Sequence, residues 1–129
     1  MLALRASAIA SAKRAFSTSS LRQQHLQGTP ELFEKHAIEG TKPVLVDFYA
    51  DWCGPCRFLT PVLEKVVTDD SGVDLMTIDT EEQLELAQRY KIRSLPTVMV
   101  FKNGEVIGQF IGAQPEAGVR EFVKKITEQ

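Results

Sequence analysis

Only two of the 129 residues are cysteine, too few for the multi-bridge framework that staples small secreted domains. Tryptophan occurs once, at Trp52, and no stretch approaches the roughly 18 apolar residues that a membrane span needs. No acidic residue precedes Glu31, and no dense basic patch gives the electrostatic footprint of a nucleic-acid binder. The two histidines, His25 and His36, stand eleven apart. With a single cysteine pair they fall short of the ligand set of a structural zinc site, so no metal is expected. What remains is the composition of a soluble domain, 43% hydrophobic and 25% charged, long enough to bury a core without staples.

The charge is unevenly placed. Arg5, Lys13, Arg14 and Arg22 lie in an acid-free, Ser- and Ala-rich leader, leaving 11 basic against 17 acidic residues in the remainder, a formal net charge of −6. This contrast is the composition of an organelle transit peptide. Leu2, Ile9 and Phe16 share one helical face, which Lys13 interrupts. The stretch ASAIASA is too poor in large apolar residues for a secretory signal. RAFSTSSLRQ resembles the mitochondrial trimming pattern, with cuts expected after Phe16 and then Gln23. Residues 1–23 are therefore expected to be a cleaved mitochondrial transit peptide and residues 24–129 a single domain.

Within that domain, Thr29-Pro30 is an N-cap and first-turn signal for a helix carrying Leu32, Phe33 and His36 and ending at Gly40. KPVLVDFYA is a nearly continuous apolar run, as in a strand buried on both faces. From Cys56, residues Phe58, Leu59, Val62, Leu63 and Val66 keep helical spacing, with Pro61 as an expected kink. VDLMTID reads as a second buried strand and EEQLELAQRYKI as a helix through Leu84, Leu86, Ala87 and Tyr90. Asn103-Gly104 between two apolar runs is a hairpin signal. Pro115 and Glu116 open a last helix that closes with Lys124 and Lys125, matching the helix dipole at both ends. The order helix, strand, helix, strand, helix, strand, strand, helix predicts an α/β domain, a central mixed sheet with helices on both faces.

Both cysteines fall in DWCGPCR, Asp51 to Arg57. A static disulfide across so short a loop would remove little entropy from the unfolded chain and add little stability. A pair at a loop-to-helix junction suits thiol–disulfide exchange instead. Cys53 would sit at the helix start, where free N–H groups and the dipole favour a thiolate, exposed and attacking. Cys56, one turn inward and shielded, would resolve the mixed disulfide. Asp47, hemmed by Val44, Leu45, Val46 and Phe48, is a carboxyl whose burial should raise its pKa towards neutrality. Pro96 in SLPT precedes a strand, and its peptide isomer is not fixed by the sequence.

WCGPC after an Asp-containing strand, Pro61 five residues beyond the second cysteine, and LPT, FKNGE and IGA in order resemble the thioredoxin family from about residue 25 to the C-terminus. The resemblance implies that Cys53 and Cys56 are the redox pair and that Asp47 assists proton transfer to the inner thiol. It also implies a cis-proline at Pro96, facing the disulfide, and a client groove rimmed by Trp52, Gly54, Pro55, Leu95, Gly112 and Ala113. A flat aromatic with small residues would let an extended polypeptide lie close to the sulfurs. The family further implies a monomeric protein-disulfide reductase with no bound cofactor. Its electrons would come from NADPH through a thioredoxin reductase and pass to clients such as peroxiredoxins and methionine sulfoxide reductases. Gly-Pro between the cysteines is similar to reducing members, whereas isomerases and oxidants of this fold usually carry His before the second Cys. Three positions depart from the usual pattern: Tyr49 replaces a common Trp, Leu75 stands where many members place a Lys near the buried Asp, and Leu95 replaces Ile or Met.

Overall fold

In a computed structural model, which describes residues 25–129, the four apolar runs read as strands lie in one five-stranded sheet. The elements are β1 (His25–Gln27), α1 (Pro30–Phe33, continuing as a π-helical turn over Glu34–Ile38), β2 (Val44–Tyr49) and α2 (Gly54–Val66). They continue with β3 (Asp74–Asp79), α3 (Leu84–Arg89), β4 (Thr97–Lys102), β5 (Glu105–Ile111) and α4 (Glu116–Thr127). The spatial order is β1-β3-β2-β4-β5, with β1, β3 and β2 parallel to one another and β4 antiparallel to both its neighbours, β2 and β5. The expected transit peptide and both trimming positions lie outside the described residues.

The predicted punctuation is in place. Thr29 Oγ1 accepts the Leu32 N–H at 3.2 Å, with Pro30 in the first turn. Asn103 and Gly104 both take positive φ, 53° and 81°, forming the tight hairpin that joins Lys102 to Glu105. That hairpin also caps α1, because Gly104 N–H donates to the Ala37 carbonyl and Asn103 N–H to that of Gly40.

Strand β1 is a correction to the expected order, which begins with a helix. Three residues are too few to show a period of two, and β1 is held through its parallel ladder with β3. Gly28 extends the ladder through its N–H to the Thr77 carbonyl at 2.7 Å. A Cβ at Gly28 would come within 2.7 Å of Ile78 Cγ1 and 3.0 Å of Met76, so the close approach requires glycine.

Alternation along the strands splits the core in two. On one face Val44, Val46 and Phe48 of β2 join Met76, Ile78, Met99 and Phe101 beneath Phe33, Ala37 and Leu86. On the other, Leu45, Leu75, Val98 and Val100 pack against Leu59 and Leu63 of α2 and Val119 and Val123 of α4. Each fully buried large side chain contributes about 1.5–3 kcal/mol. Two residues of the expected helical stripes do not join them. Phe58 and Leu84 are 61% and 58% exposed, because each lies two residues, some 200° of helix rotation, from a buried neighbour at Cys56 or Leu86. The buried line of α2 is Cys56, Leu59, Leu63 and Val66.

The two-face split decides where Asp47 points. It shares the parity of Leu45, so its carboxyl emerges on the α2 side of the sheet, flanked in register by Thr77 of β3 and Val98 of β4.

Candidate active site

Strand β2 ends at Tyr49, and the turn Ala50 to Trp52 delivers the chain to the start of α2. Arg57 ties that turn to the helix, its guanidinium donating twice to the Asp51 carbonyl at 2.9 and 3.1 Å. Cys53 occupies the N-cap position with extended backbone angles, and its Sγ accepts the Cys56 N–H at 3.2 Å. A sulfur therefore takes the place usually held by a Ser, Thr or Asp oxygen. Cys53 and Cys56 are joined as a disulfide with Cα atoms 5.3 Å apart. On reduction, the same N–H and the positive end of the 13-residue helix stabilise negative charge on Cys53 Sγ.

The expected contrast between an exposed Cys53 and a shielded Cys56 needs correction. Both are buried, at 4% and 2% relative exposure. Packing by Ala50, Tyr49 and Leu95 covers the pair, and what separates the two sulfurs is the cleft each residue lines. Cys53 lines a cleft of about 370 Å³ with Trp52, Gly54, Pro55 and Leu95. Cys56 lines a second of about 480 Å³ with Tyr49, Thr60, Glu64 and Thr77.

Most of the expected groove rim gathers at the first cleft. The Leu95–Pro96 peptide is cis, as the family resemblance implies. The Pro96 carbonyl accepts the Gly112 N–H at 2.9 Å, which brings the end of β5 alongside Leu95 and Pro96. Gly112 has φ of +93° and open space where a Cβ would stand, so backbone conformation rather than crowding calls for glycine here. Ala113 follows it on the exposed rim. Trp52 is 69% exposed and Ile111, paired in register with Thr97, is 60% exposed. Thr80, Ile92 and Arg93 join the site without any signal in the sequence pattern. They line the Cys53 cleft only because the segment between β3 and β4 folds back over it.

Asp47 has no exposed surface. The Thr60 hydroxyl donates to its Oδ2 at 2.7 Å, while Oδ1 is buried without a hydrogen-bond partner. Burial raises the Asp47 pKa to about 6; the Thr60 hydrogen bond pulls it down, and the Glu64 carboxylate adds to the rise. The Tyr49 phenol is pushed up from its usual range by burial and then by the carboxylates of Asp79, Asp51, Glu82 and Asp47. Leu75 is buried with Leu59 and Leu63, so the departure from the family pattern noted at this position lies in the apolar core. Among the described residues, no group of three or more His, Cys, Asp or Glu side chains could hold a metal ion, and no helix is long and apolar enough to cross a membrane.

The arrangement is a disulfide pair at a helix N-terminus, with an open cleft beside Cys53 and, beside Cys56, a second cleft whose Thr60 holds a buried carboxyl of raised pKa. Comparison with known proteins agrees with it. A family profile described as Thioredoxin matches residues 24–125. "Thioredoxin, mitochondrial" of Bos taurus is 39% identical over 103 residues, covering 79% of this chain and 61% of the bovine protein. "Thioredoxin 1" of Nostoc sp. is 36% identical over 100 residues, covering 77% of this chain and 94% of that relative. The chain thus spans about three-fifths of the length of the mammalian relative and nearly all of the Nostoc one. A solved thioredoxin structure from Malassezia sympodialis superposes with a TM-score of 0.71 at 32% identity, over 78% of this chain and 88% of that one.

Proposed function

This chain belongs to the thioredoxin family, and from that premise we propose that it is a protein-disulfide reductase of the mitochondrial matrix. The observation that carries the chemistry is the Cys53 sulfur at the N-cap of α2, with the Cys56 N–H aimed at it from 3.2 Å. In the reduced protein, the Cys53 thiolate attacks one sulfur of a client disulfide. The client S–S bond breaks, and the departing client sulfur leaves with the electron pair and takes up a proton. Cys56 then loses its proton to Asp47 and attacks Cys53 Sγ. The mixed disulfide breaks, the second client sulfur leaves with the electron pair and takes up a proton from water, and the Cys53–Cys56 disulfide forms. Two electrons have moved to the client, and the Asp47 proton is released to water. Trp52, Gly54, Pro55, Leu95, Pro96, Gly112 and Ala113 would hold the client strand beside the sulfurs.

The protein binds no cofactor in this scheme. NADPH supplies electrons through a thioredoxin reductase, a flavoprotein. Peroxiredoxins and methionine sulfoxide reductases are fitting clients, in the service of mitochondrial redox balance and oxidative-stress defence, with the chain working as a monomer. The decisive experiment is capture with Cys56→Ser, which keeps the attacking thiol and removes the resolving one. Client proteins should accumulate on Cys53 as mixed disulfides that dithiothreitol releases. Recovery of no such adducts from an oxidised cell extract would overturn the reductase role.

The matrix address rests on the basic, acid-free leader and on the mitochondrial thioredoxins of cattle, mouse and rat among the relatives, which also include bacterial ones. N-terminal sequencing of the protein isolated from mitochondria should find Gln24 or Ser17 first. Retention of Met1 would sink the import reading.

A further inference from the structure

Thr60 lies four residues beyond Cys56 on α2, one helical turn further along the same face. It lines the Cys56 cleft and at the same time donates its hydroxyl hydrogen to Asp47 Oδ2 at 2.7 Å. The other Asp47 oxygen, Oδ1, is fully buried and unpartnered. A buried carboxylate with one oxygen satisfied and one open is costly to the fold, and such an unsatisfied group calls for an explanation.

We propose that Thr60 is a positioning residue for proton transfer in this site: its hydroxyl clamps Asp47 Oδ2 and leaves Oδ1 as the single open acceptor for the Cys56 proton. The inference rests on the reductase reading above. Threonine suits the task because its branched Cβ restricts χ1, so the hydroxyl is held in place on a helix whose neighbouring Leu59 and Leu63 are fixed in the core. The hydrogen bond is strongest to the ionised carboxylate and weakens when Asp47 takes the proton. Thr60 therefore keeps Asp47 a weaker base than burial alone would make it, so the carboxyl can both accept and release a proton near neutral pH.

The surroundings leave this task to Thr60. From β3 and β4 the register neighbours are Thr77 and Val98, both uncharged, and Leu75 is apolar. From α2 the charged group acting on Asp47 is the Glu64 carboxylate, which opposes ionisation, and Cys56 supplies the thiol. Arg57 is committed to the Asp51 carbonyl. On the same strand, the Tyr49 phenol titrates above its usual range and is neutral in the working pH window.

The test compares Thr60→Val, which keeps the shape and removes the donor, with Thr60→Ser, which keeps the donor. The Asp47 carboxyl is followed by carbon NMR titration in the oxidised protein, a readout that needs no client and no turnover. Loss of a hydrogen bond to a charged group should raise the Asp47 titration midpoint by about one to two pH units in Thr60→Val, with Thr60→Ser close to wild type. The pH profile of insulin reduction should move upward in step, and in an Asp47→Asn background Thr60→Val should have no further effect. Should Thr60→Val fail to fold, Thr60→Ala is read in the same titration. Midpoints that coincide in wild type and the donor-less variant overturn the proposal, as does a loss of rate that is equal at every pH. A wild-type protein that titrates as described but reduces no disulfide would instead overturn the reductase reading and leave the clamp standing.

Discussion

Cys53→Ser is expected to lower thiol-dependent insulin reduction by on the order of 10³-fold or more while leaving the fold intact. The reason is that the position performs two jobs which serine divides. As an N-cap, Ser is among the best residues available, so its oxygen replaces the sulfur as acceptor of the Cys56 N–H and α2 keeps its start. As a nucleophile it fails, because a hydroxyl does not ionise near neutral pH and cannot exchange with a disulfide. Cys56 does not substitute for it, since Cys56 lies within α2 and lines the opposite cleft. The lost disulfide closes a loop of four residues, worth about 2 kcal/mol by chain entropy. Thermal unfolding and a backbone spectrum should therefore show a native domain beside an insulin assay near background. Activity equal to wild type would end the reductase reading, because Cys56 is then the one cysteine left and a single thiol cannot close the intramolecular disulfide that releases the client.

Much of this site is legible in the sequence, for reasons that differ residue by residue. The cysteine pair announces itself by spacing, and Asp47 by four large apolar neighbours that leave a carboxyl no way out to water. The hairpin is readable because Asn103 and Gly104 tolerate positive φ. What escapes depends on three-dimensional placement. Strand β1 is three residues long and is defined by its partner, not by its own pattern. Phe58 and Leu84 look like core residues until the helix rotation is fixed by the sheet beneath. The burial of Cys53 arises from Ala50, Tyr49 and Leu95, which meet only in the fold. Thr60 gives no signal at all. A threonine one turn after a cysteine is unremarkable until the parity of β2 aims Asp47 at it.

The same carboxyl should make the domain's stability fall as pH rises through the weakly acidic range. The folded-state pKa of Asp47 is about 6 against an ordinary 3.8, so the folded protein holds this proton more tightly than the unfolded chain does. Its contribution is fully present below about pH 3.8, is lost as pH rises through about 6, and is flat beyond about 7. The whole effect comes to about 3 kcal/mol, because each tenfold difference in proton affinity between folded and unfolded chain is worth about 1.36 kcal/mol. Urea unfolding of the oxidised protein between pH 4 and 8 measures it, with Asp47→Asn as the reference in which the titrating group is gone. Other carboxylates contribute equally to both proteins, and neither the disulfide-bonded cysteines nor Tyr49 titrates in the range. The variant should therefore gain about 2.4 kcal/mol of that relative to wild type on going from pH 4 to pH 8, and a pH-independent difference between the two would remove the raised pKa. The direction explains the design of the site. At neutral pH the fold carries an ionised, half-partnered carboxylate that a neutral side chain would spare it, and the residue that makes the domain less stable is the one proposed above to take the proton from Cys56.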